Sequence, residues 1–443
     1  MKLSRFNVSK EYEEGTYWVY NTFTTAAVVV NKETYLKYFV TENFFDDNLV
    51  SQQLYEMGFA IDDDFDELAY LQSLRKKVVY SNKKIADIII APTMDCNARC
   101  YYCFEHGCHH EKMTIETADA VVQYIKENWN GDLFNISWFG GEPLLATDIM
   151  DYISNKLKLE NINFISRITT NGYELTDDVI NKALRLWHTN KIQVSIDAMF
   201  EEYDRIKNYK CVTEKGAFQR VIQNVESALL AGLSVRIRIN FNPNEKEKAE
   251  NLLRYLQNKF SHFSHFSSYF APIDADSNIV PSVASSFSGM KKHPFLHLIE
   301  FGQKYGYYCG NKRGTQKNFA FDETGLLSDL KLYPSPTNCY ASCPSVFAID
   351  SKGDLYKCHR VLGKGRQYSS GNVKTGIIQN EIYKFFCNTD VAFKECNKCK
   401  LLPVCQGGCK INAYIYNDEH ACSPIKNIYP ELIEMYLKRT RAI

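Results

Sequence analysis

The sequence lacks an excess of charge of either sign, a long apolar run and any repeated or low-complexity tract. Lys+Arg and Asp+Glu each number 52 among 443 residues, so no overall field attracts nucleic acid or a membrane surface. No apolar run reaches the roughly 18 residues of a membrane-spanning helix, and the N-terminus shows no signal-peptide pattern. We therefore expect a cytoplasmic protein that binds neither nucleic acid nor membrane.

Cysteine, in contrast, is abundant. The chain has 15 cysteines, and in a protein without an export signal such thiols favour metal ligation over disulfides. At 443 residues the chain is too long for one average domain, and we expect two or three.

Three of the thiols form a compact motif. Cys96, Cys100 and Cys103 have the spacing C-x3-C-x2-C, with Tyr102 before the last thiol. Three close thiolates can hold three irons of a cubane iron–sulfur cluster and leave the fourth iron open to a small molecule, as in a reactive site. A zinc site is the alternative. The nearby side chains that could close a zinc tetrahedron are His106, Cys108, His109 and His110.

Residues 84–310 alternate between strand and helix patterns. The expected strands are Ile85–Ile90, Phe134–Trp138, Phe164–Thr169, Ile192–Ile196, Val235–Phe241 and Phe266–Ala271. The expected helices are Ile115–Trp129, Asp148–Leu157, Thr176–Trp187, Gly216–Ala231 and Glu245–Phe260. This alternation predicts an α/β fold with parallel strands and right-handed crossovers, namely an open, partial (β/α)6 TIM-like barrel.

Polar motifs follow the C-terminal ends of the first five strands, where parallel barrels place their active sites. These motifs are Cys96–Cys103, Gly140–Pro143, Thr170–Gly172, Ser195 with Asp197, and Arg238 with Asn240. Gly140 and Gly141 allow a ligand to approach the backbone, and the Glu142 carboxylate could bind an ammonium group. A tight turn is the alternative meaning of a Gly-Gly-Glu run.

Residues 1–80 predict a winged-helix-like module. The segments Tyr17–Thr22 and Thr24–Val30 are rich in β-formers. Helical patterns follow at Lys32–Phe39, Leu49–Met57 and Glu67–Lys77. A short strand, Phe59–Ile61, lies between the second and the third of these helices. The alternative is a solvated cap on the rest of the chain.

A linker is expected at residues 311–335, a cysteine-rich domain with little regular structure at residues 336–430, and a closing helix at residues 431–443. The thiols of the cysteine-rich domain are Cys339, Cys343, Cys358, Cys396, Cys399, Cys405, Cys409 and Cys422. Eight thiols suffice for two four-thiolate clusters, and a pair of structural zinc ribbons is the alternative. The cysteines without an expected role are Cys108, Cys211, Cys309 and Cys387.

On three motifs the chain resembles radical S-adenosylmethionine (radical SAM) enzymes of the SPASM subgroup, over about residues 84–430. The motifs are the Cys96–Cys103 trio, Gly140–Pro143, and the run from Cys343 through Gly353 and Cys358 to Cys422. The resemblance implies that a reduced [4Fe-4S] cluster cleaves S-adenosylmethionine to a 5′-deoxyadenosyl radical, which takes a hydrogen from the substrate. It also implies the cofactor contacts Tyr102, Gly140, Gly141, Glu142, Pro143, Asn171, Ser195, Asp197, Arg205 and Arg238.

The same resemblance implies two auxiliary [4Fe-4S] clusters, hence three in total. The ligands implied for the first are Cys339, Cys343, Cys358 and Cys409, and those for the second are Cys396, Cys399, Cys405 and Cys422. Because the interval between Cys339 and Cys343 is short, Cys339 is the ligand left open. Without it the first auxiliary cluster has an open iron, which suits a substrate thiolate and thioether formation.

The N-terminal pattern resembles the peptide-recognition element of enzymes that modify ribosomally made peptides, and such modules add the leader as a strand to a sheet edge. We expect a maturase that crosslinks a precursor peptide, by a thioether rather than a carbon–carbon cyclophane, with a flavodoxin or ferredoxin as electron donor. One alternative is an anaerobic sulfatase-maturating enzyme, which has a carboxylate base where this chain has His359, a weak catalytic candidate. A non-enzymatic zinc-ribbon scaffold is the other.

Overall fold

A computed structural model describes residues 1–44, 49–80, 85, 87–129, 131–210, 216–273, 334, 339–388, 394–416, 422 and 426–439. The chain divides into two compact units. The first comprises residues 1–81, 308–340 and 388–443, and the second comprises residues 82–307 and 341–387. The linker expected at residues 311–335 lies outside the described residues, apart from Pro334.

The first unit begins with short strands and three helices. The strands are β1 (Lys2–Leu3), β2 (Asn7–Glu13), β3 (Thr16–Asn21), β4 (Ala27–Asn31) and β5 (Ala60–Ile61). The helices are α1 (Lys32–Thr34), which continues as a π-helix over Tyr35–Val40, α2 (Leu49–Glu56) and α3 (Glu67–Val79). Strands β2, β3 and β4 form an antiparallel sheet with β3 in the centre, and β1 pairs with β5.

Both faces of this small sheet are covered within the first unit. On one face Val19 packs with Tyr38, Phe44 and Phe59 in a buried cluster. On the other face Tyr20 meets Tyr436 at a ring-centroid distance of 6.3 Å. The C-terminal residues therefore complete the core that the N-terminal residues begin.

The second unit is built on six parallel strands in chain order. They are β6 (Asp87–Ile90), β7 (Phe134–Trp138), β8 (Phe164–Thr170), β9 (Thr189–Ile196), β10 (Ser234–Phe241) and β11 (Phe266–Pro272). The helices are α4 (Ile115–Asn128), α5 (Thr147–Leu159), α6 (Asp177–Arg185), α7 (Phe200–Lys207), α8 (Ala217–Leu230) and α9 (Lys246–Phe260). The mixed α/β class with a partial TIM-like barrel is confirmed.

Alternation within the strands explains how the barrel forms. Ile136, Ile192 and Ile237 are at most 1% exposed, so one face of each strand belongs to the core, while the intervening positions carry polar side chains such as Ser195 and Arg238. Caps fix the helix starts: Thr114 accepts a hydrogen bond from the Thr117 amide, and Thr176 accepts one from Val179. The strand ends thus carry the polar motifs to one rim.

Two features differ from the sequence expectation. Helix α7 was not expected, because its run Phe200–Lys207 is short and mostly charged and its N-cap, Met199, makes no side-chain cap bond. Regular strands also extend the barrel sheet where little structure was expected. They are β12 (Phe347–Ile349), β13 (Asp354–Tyr356), β14 (Ser369–Asn372) and β15 (Gly376–Ile377). Strand β12 pairs in parallel with β6, and the other three follow as an antiparallel extension.

The remaining helices of the described residues are α10 (Glu381–Cys387), α11 (Leu402–Cys405), α12 (Lys410–Tyr416) and α13 (Tyr429–Arg439). Among the described residues, none of the helices combines the length and the apolar character needed to cross a bilayer.

Candidate active site at the strand ends

The loop between β6 and α4 carries the first three thiols. Cys96, Cys100 and Cys103 are all partly buried and free of disulfides, and the Cys103 amide donates to the Cys100 carbonyl oxygen at 3.1 Å. Burial raises the pKa of the Cys103 thiol to about 12, with further increases from the Glu105 carboxylate and the Cys100 thiolate. Three sulfurs that influence one another in a single loop suit a positively charged iron–sulfur cluster, whose binding would deprotonate them.

Backbone bonds hold this loop to the segment that ends α7. The Arg99 amide donates to the carbonyl oxygen of Lys207 at 2.7 Å, and the Lys210 amide donates to that of Asn97 at 2.8 Å. The Arg99 guanidinium donates back to the Cys96 carbonyl oxygen at 2.6 Å. The thiol positions are therefore coupled to the position of α7.

The Gly-Gly-Glu run also contacts this loop. The Gly141 amide donates to the Thr93 carbonyl oxygen at 3.2 Å, and the Glu142 amide donates to that of Asp95 at 2.8 Å. Gly140 has φ +111°, and a Cβ on Gly141 would overlap the Asp95 carbonyl oxygen. The two glycines thus let the cluster loop lie directly against the end of β7.

The Glu142 carboxylate is fully buried at the rim. It accepts hydrogen bonds from the Leu144 amide at 3.1 Å, the Thr170 hydroxyl at 2.7 Å and the Asn171 amide at 2.7 Å. Burial raises the pKa of Glu142 to about 7, although these bonds act to lower it. A cationic ligand placed beside it would favour the ionised form. Pro143 begins a short 3-10 helix that follows.

Asn171 joins the end of β8 to the cysteine loop. Its side-chain amide donates to Asn97 Oδ1 at 2.7 Å and lies 3.9 Å from Cys96 Sγ. Glu142, Asn171 and the first thiol therefore belong to one connected group.

A buried ion pair occupies the ends of β9 and α7. Lys207 Nζ lies 2.8 Å from Asp197 Oδ2, and both side chains are at most 2% exposed. The Tyr102 hydroxyl and the Asn240 side-chain amide each donate to Asp197 Oδ1 at 2.7 Å. Burial acts to lower the pKa of Lys207, but the Asp197 carboxylate beside it leads the effects that hold it well above its usual value.

The remaining cofactor candidates divide between the rim and the surface. Ser195 and Arg238 are register partners on neighbouring strands, and Arg238 Nε donates to Asn240 Oδ1 at 2.8 Å. The Arg205 side chain is 76% exposed and lies 3.4 Å from Glu202 Oε1. The structure therefore brings Ser195 and Arg238 to the rim network and leaves Arg205 outside it.

His359 lies between the loop of the three thiols and the end of β7. Its ring makes edge contacts with Phe139 at 4.9 Å and Phe104 at 6.4 Å between centroids. Burial lowers the pKa of His359 to about 4, helped by Arg360 and Arg238. The imidazole is therefore neutral at physiological pH.

Lys207, Asn97 and Asn240 join the site although none was expected as a cofactor contact. Lys207 follows Tyr203 by four residues on the buried side of α7, but a lysine at that spacing is far more often a surface residue. Asn240 follows Arg238 at the end of β10, and this strand-end position was the one available signal.

In the second unit, Cys343 precedes β12 and Cys358 follows β13. Gly353, with φ +83°, closes the turn between these strands, and its amide donates to the Asp350 carbonyl oxygen at 3.0 Å. The glycine of the C-x9-G-x4-C run is thus the turn residue of a hairpin, and the hairpin sets the separation of the two thiols.

In the first unit, four thiols gather around Lys426 and Tyr429. Lys426 Nζ lies 3.7 Å from Cys422 Sγ. The Cys422 thiolate raises the pKa of Lys426, burial acts to lower it, and the thiolates of Cys399 and Cys396 add to the increase. Burial raises the pKa of Tyr429, as do the thiolates of Cys405 and Cys399. Cys339 and Cys409 also belong to this unit.

Within the described residues, no three His, Cys, Asp or Glu side chains are arranged to ligate one metal ion. A single zinc ion requires its ligands in one compact tetrahedron, whereas the corners of a cubane bind thiolates on separate irons. Cys108 and Cys387 are buried thiols, and Cys211 and Cys309 lie outside the described residues.

Comparison with known proteins shows which families and folds the chain is similar to. Residues 90–256 match the family model of the Radical SAM superfamily. The probable GTP 3′,8-cyclase of Methanococcus maripaludis is 31% identical over 159 residues, which is 36% of this chain and 50% of that protein. A probable GTP 3′,8-cyclase of Saccharolobus islandicus is 30% identical over 168 residues, 38% of this chain and 51% of that protein. The chain thus spans about half the length of the curated relatives it matches.

Solved structures resemble a larger part of the chain. Native anSMEcpe with bound AdoMet and Cp18Cys peptide has a TM-score of 0.57 at 19% identity, covering 80% of this chain and 97% of that one. Streptococcus suis SuiB bound to precursor peptide SuiA has a TM-score of 0.52 at 16% identity, covering 96% of this chain and 97% of that one. At these identities the likeness concerns the fold. Residues 90–256 are thus similar to the Radical SAM superfamily, and the likeness of fold to the two solved structures extends over most of the chain.

The buried pair gives a stability prediction. We expect Lys207→Met to lower the free energy of unfolding by about 3–5 kcal/mol, because Asp197 would stay buried without its cation. Lys210→Met is the matched control: Lys210 is 44% exposed and lies 3.6 Å from Asp95, so the change should cost at most about 1 kcal/mol. Urea unfolding followed by circular dichroism measures both, and equal costs would contradict the role assigned to the pair.

Proposed function

We propose that this chain is a radical SAM enzyme and a peptide maturase, which forms an intramolecular crosslink in a ribosomally made precursor peptide, a thioether in preference to a carbon–carbon cyclophane. The observation that carries the proposal is the extent of the fold likeness. SuiB matches 96% of this chain, which leaves too few residues unmatched to omit the N-terminal module. That solved complex contains a precursor peptide.

The rim residues supply the cofactor site in this proposal. Cys96, Cys100 and Cys103 hold a [4Fe-4S] cluster, and the buried Glu142 carboxylate, adjacent to the first thiol through Asn171, binds the ammonium group of S-adenosylmethionine. When bound, this pair of cofactors supplies a 5′-deoxyadenosyl radical that removes hydrogen from the substrate. The network of Tyr102, Asp197, Lys207 and Asn240 gives the rest of the cofactor a fixed polar wall, to which Ser195 and Arg238 add donors.

Two auxiliary [4Fe-4S] clusters complete the cofactor set. We assign Cys343, Cys358 and Cys409 to the first, with the role of Cys339 as its fourth ligand left open, and Cys396, Cys399, Cys405 and Cys422 to the second. Such clusters can accept the electron that remains after a crosslink forms. His359 stays a weak catalytic candidate, because its lowered pKa makes the imidazole a poor proton acceptor at neutral pH.

The leader of the substrate would bind the outer edge of β4. Among the described strands none pairs with that edge, and its sequence, Ala-Val-Val-Val-Asn, is apolar where β2 is charged. Val29 on β4 and Leu36 and Val40 on the adjoining π-helix are exposed apolar side chains. An unpaired apolar edge is a template for strand addition.

Sulfatase maturation is the second candidate, since anSMEcpe gives a TM-score of 0.57. That likeness leaves a fifth of this chain unmatched, an amount comparable to the N-terminal module. A histidine rather than a carboxylate also follows Cys358. Both observations favour the crosslinking enzyme.

The proposal predicts a mass change in the substrate. We expect the reconstituted enzyme, incubated without oxygen with S-adenosylmethionine and a reductant, to lower the mass of a precursor peptide encoded beside its gene by about two hydrogens. Mass spectrometry measures the change, and fragmentation locates the crosslink. Peptides of unchanged mass despite rapid cofactor cleavage would count against the proposal, and formylglycine in a sulfatase peptide would support the second candidate.

Removing the first three thiols distinguishes the cluster that they hold from the two auxiliary clusters. We expect Cys96→Ala/Cys100→Ala/Cys103→Ala to abolish cofactor cleavage and to lower the iron content from about 12 to about 8 atoms per chain. Iron analysis and detection of 5′-deoxyadenosine measure the two effects. Cleavage at the wild-type rate would refute the assignment, and zinc in place of iron in both proteins would favour a scaffold.

The edge of β4 gives a binding prediction. We expect Val29→Lys to weaken leader binding at least about fivefold, because it replaces an apolar cross-strand contact worth about 1 kcal/mol and adds a charge to the edge. Leu49→Lys, on the 69% exposed Leu49 of α2, is the control and should bind as the wild type does. Fluorescence anisotropy with a labelled leader measures both. Equal affinity of the two variants would remove β4 as the docking edge.

A further inference from the structure

The N-terminal module and the second cysteine array share one hydrophobic core. Phe6, Leu71 and Leu402 are each at most 3% exposed and form a single cluster, and Cys396 packs against it. Phe6 precedes β2, Leu71 lies on α3, and Leu402 begins α11. The first thiol of the array is therefore packed against the module itself.

Two side chains of the module also bind the backbone of the C-x2-C turn. The Arg5 guanidinium donates to the carbonyl oxygen of Asn397, which lies between Cys396 and Cys399. The Thr22 hydroxyl donates to the carbonyl oxygen of Lys400 at 2.5 Å, directly after Cys399. Arg5 thus fixes the peptide plane at Asn397, inside the turn, and Thr22 fixes the peptide plane at Lys400, directly after the turn.

The turn that carries Cys396 and Cys399 is a short 3-10 segment. Its backbone is a five-residue 3-10 helix, Lys394–Lys398, with the Cys399 amide donating to the Cys396 carbonyl oxygen at 3.0 Å. Short 3-10 segments have poor hydrogen-bond geometry, so the directions of both Cα–Cβ bonds depend on what holds the peptide planes. Partners that orient metal ligands in this way affect the affinity of the site.

The module also contacts the helix on the other side of the array. Lys10 Nζ lies 3.0 Å from Glu434 Oε2, and Lys438 Nζ lies 5.5 Å from the Tyr12 ring centroid. Both partners belong to α13, whose first residue, Tyr429, lies among the thiols. Strand β2 therefore holds the helix that follows Cys422, while Arg5 and Thr22 hold the turn that carries Cys396 and Cys399.

We propose that Arg5 and Thr22 are positioning residues for the second auxiliary site, and that the occupancy of this site and the binding of a leader to the module are coupled. The second part rests on the proposed function. Because the module shares its core with the cysteine turn, an occupied site fixes the packing of both, and an empty site leaves that packing looser. Occupation of the site therefore favours binding of the leader, and binding of the leader favours occupation of the site, because such coupling is reciprocal.

The positioning role is tested by iron content. In the Cys96→Ala/Cys100→Ala/Cys103→Ala background, which keeps only the auxiliary sites, we expect Arg5→Gln/Thr22→Val to lower iron from about 8 to about 4 atoms per chain. The electron paramagnetic resonance signal of one cluster should disappear. The conservative pair Arg5→Lys/Thr22→Ser, which keeps both donors, should restore the iron and the signal.

Lys2→Gln/Thr24→Val is the matched control. Lys2 and Thr24 donate to the carbonyl oxygens of Asp63 and Met57 within the module. The control variant therefore loses two hydrogen bonds from side chain to backbone, as the test variant does, but none of them reaches the cysteine turn. It should keep about 8 irons. Full iron content and an unchanged spectrum in Arg5→Gln/Thr22→Val would overturn the positioning role, and so would an equal loss in the control.

The coupling is tested from the cluster side, with variants that leave the module sequence intact. We expect Cys396→Ser/Cys399→Ser to weaken binding of a labelled leader at least about fivefold. The control is Cys108→Ser/Cys387→Ser, which changes two buried thiols of the second unit that have no assigned ligand role and should leave leader binding unchanged. Equal affinities of the two variants would overturn the coupling. If the wild-type enzyme itself binds no leader, the docking proposal fails, while the iron experiment still decides the role of Arg5 and Thr22.

Discussion

The buried ion pair of Lys207 and Asp197 is the constraint on which the rim of the barrel depends. An ionised lysine inside a protein is tolerated only beside a compensating charge, so the end of α7 must stay within reach of the end of β9. Because the Lys207 carbonyl oxygen also accepts the Arg99 amide, the same residue fixes the loop of the three thiols. Tyr102 and Asn240 extend this constraint to the cysteine loop and to β10. These contacts within the protein therefore join four segments of the site, namely the cysteine loop, α7 and the ends of β9 and β10.

The parts of this architecture that sequence reasoning predicts are those with local causes. Buried apolar residues at every second position of β7, β9 and β10 predict strands, and the helices between them require a parallel sheet. The rim follows, because parallel strands carry their C-terminal ends to one side. Gly140 and Gly141 were expected to admit a ligand. The structure adds a steric reason, since the backbone of the cysteine loop occupies the space that a side chain at position 141 would need.

The parts that were not predictable depend on contacts between distant segments. Lys207 looks like any surface lysine of a charged helix until Asp197 is seen beside it. Strand β12 has only three residues and is stabilised by pairing with β6, more than 250 positions earlier in the chain, so no local pattern indicates it. The contacts of Arg5 and Thr22 likewise join the first residues to a turn near position 400. A single sequence holds no record of such pairings.

The composition of the first unit has a consequence for how the protein is made. Its core combines Phe6 and Leu71 with Leu402, and its sheet is covered by α13, so these N-terminal residues must wait for partners that are synthesised about 400 residues later. During translation the N-terminal module exposes Tyr20 and the apolar edge of β4 while the whole barrel is synthesised. Nascent chains in that state are vulnerable to aggregation. Completion of the unit, and with it a finished second cysteine array, is thus delayed until α13 has been synthesised and has left the ribosome.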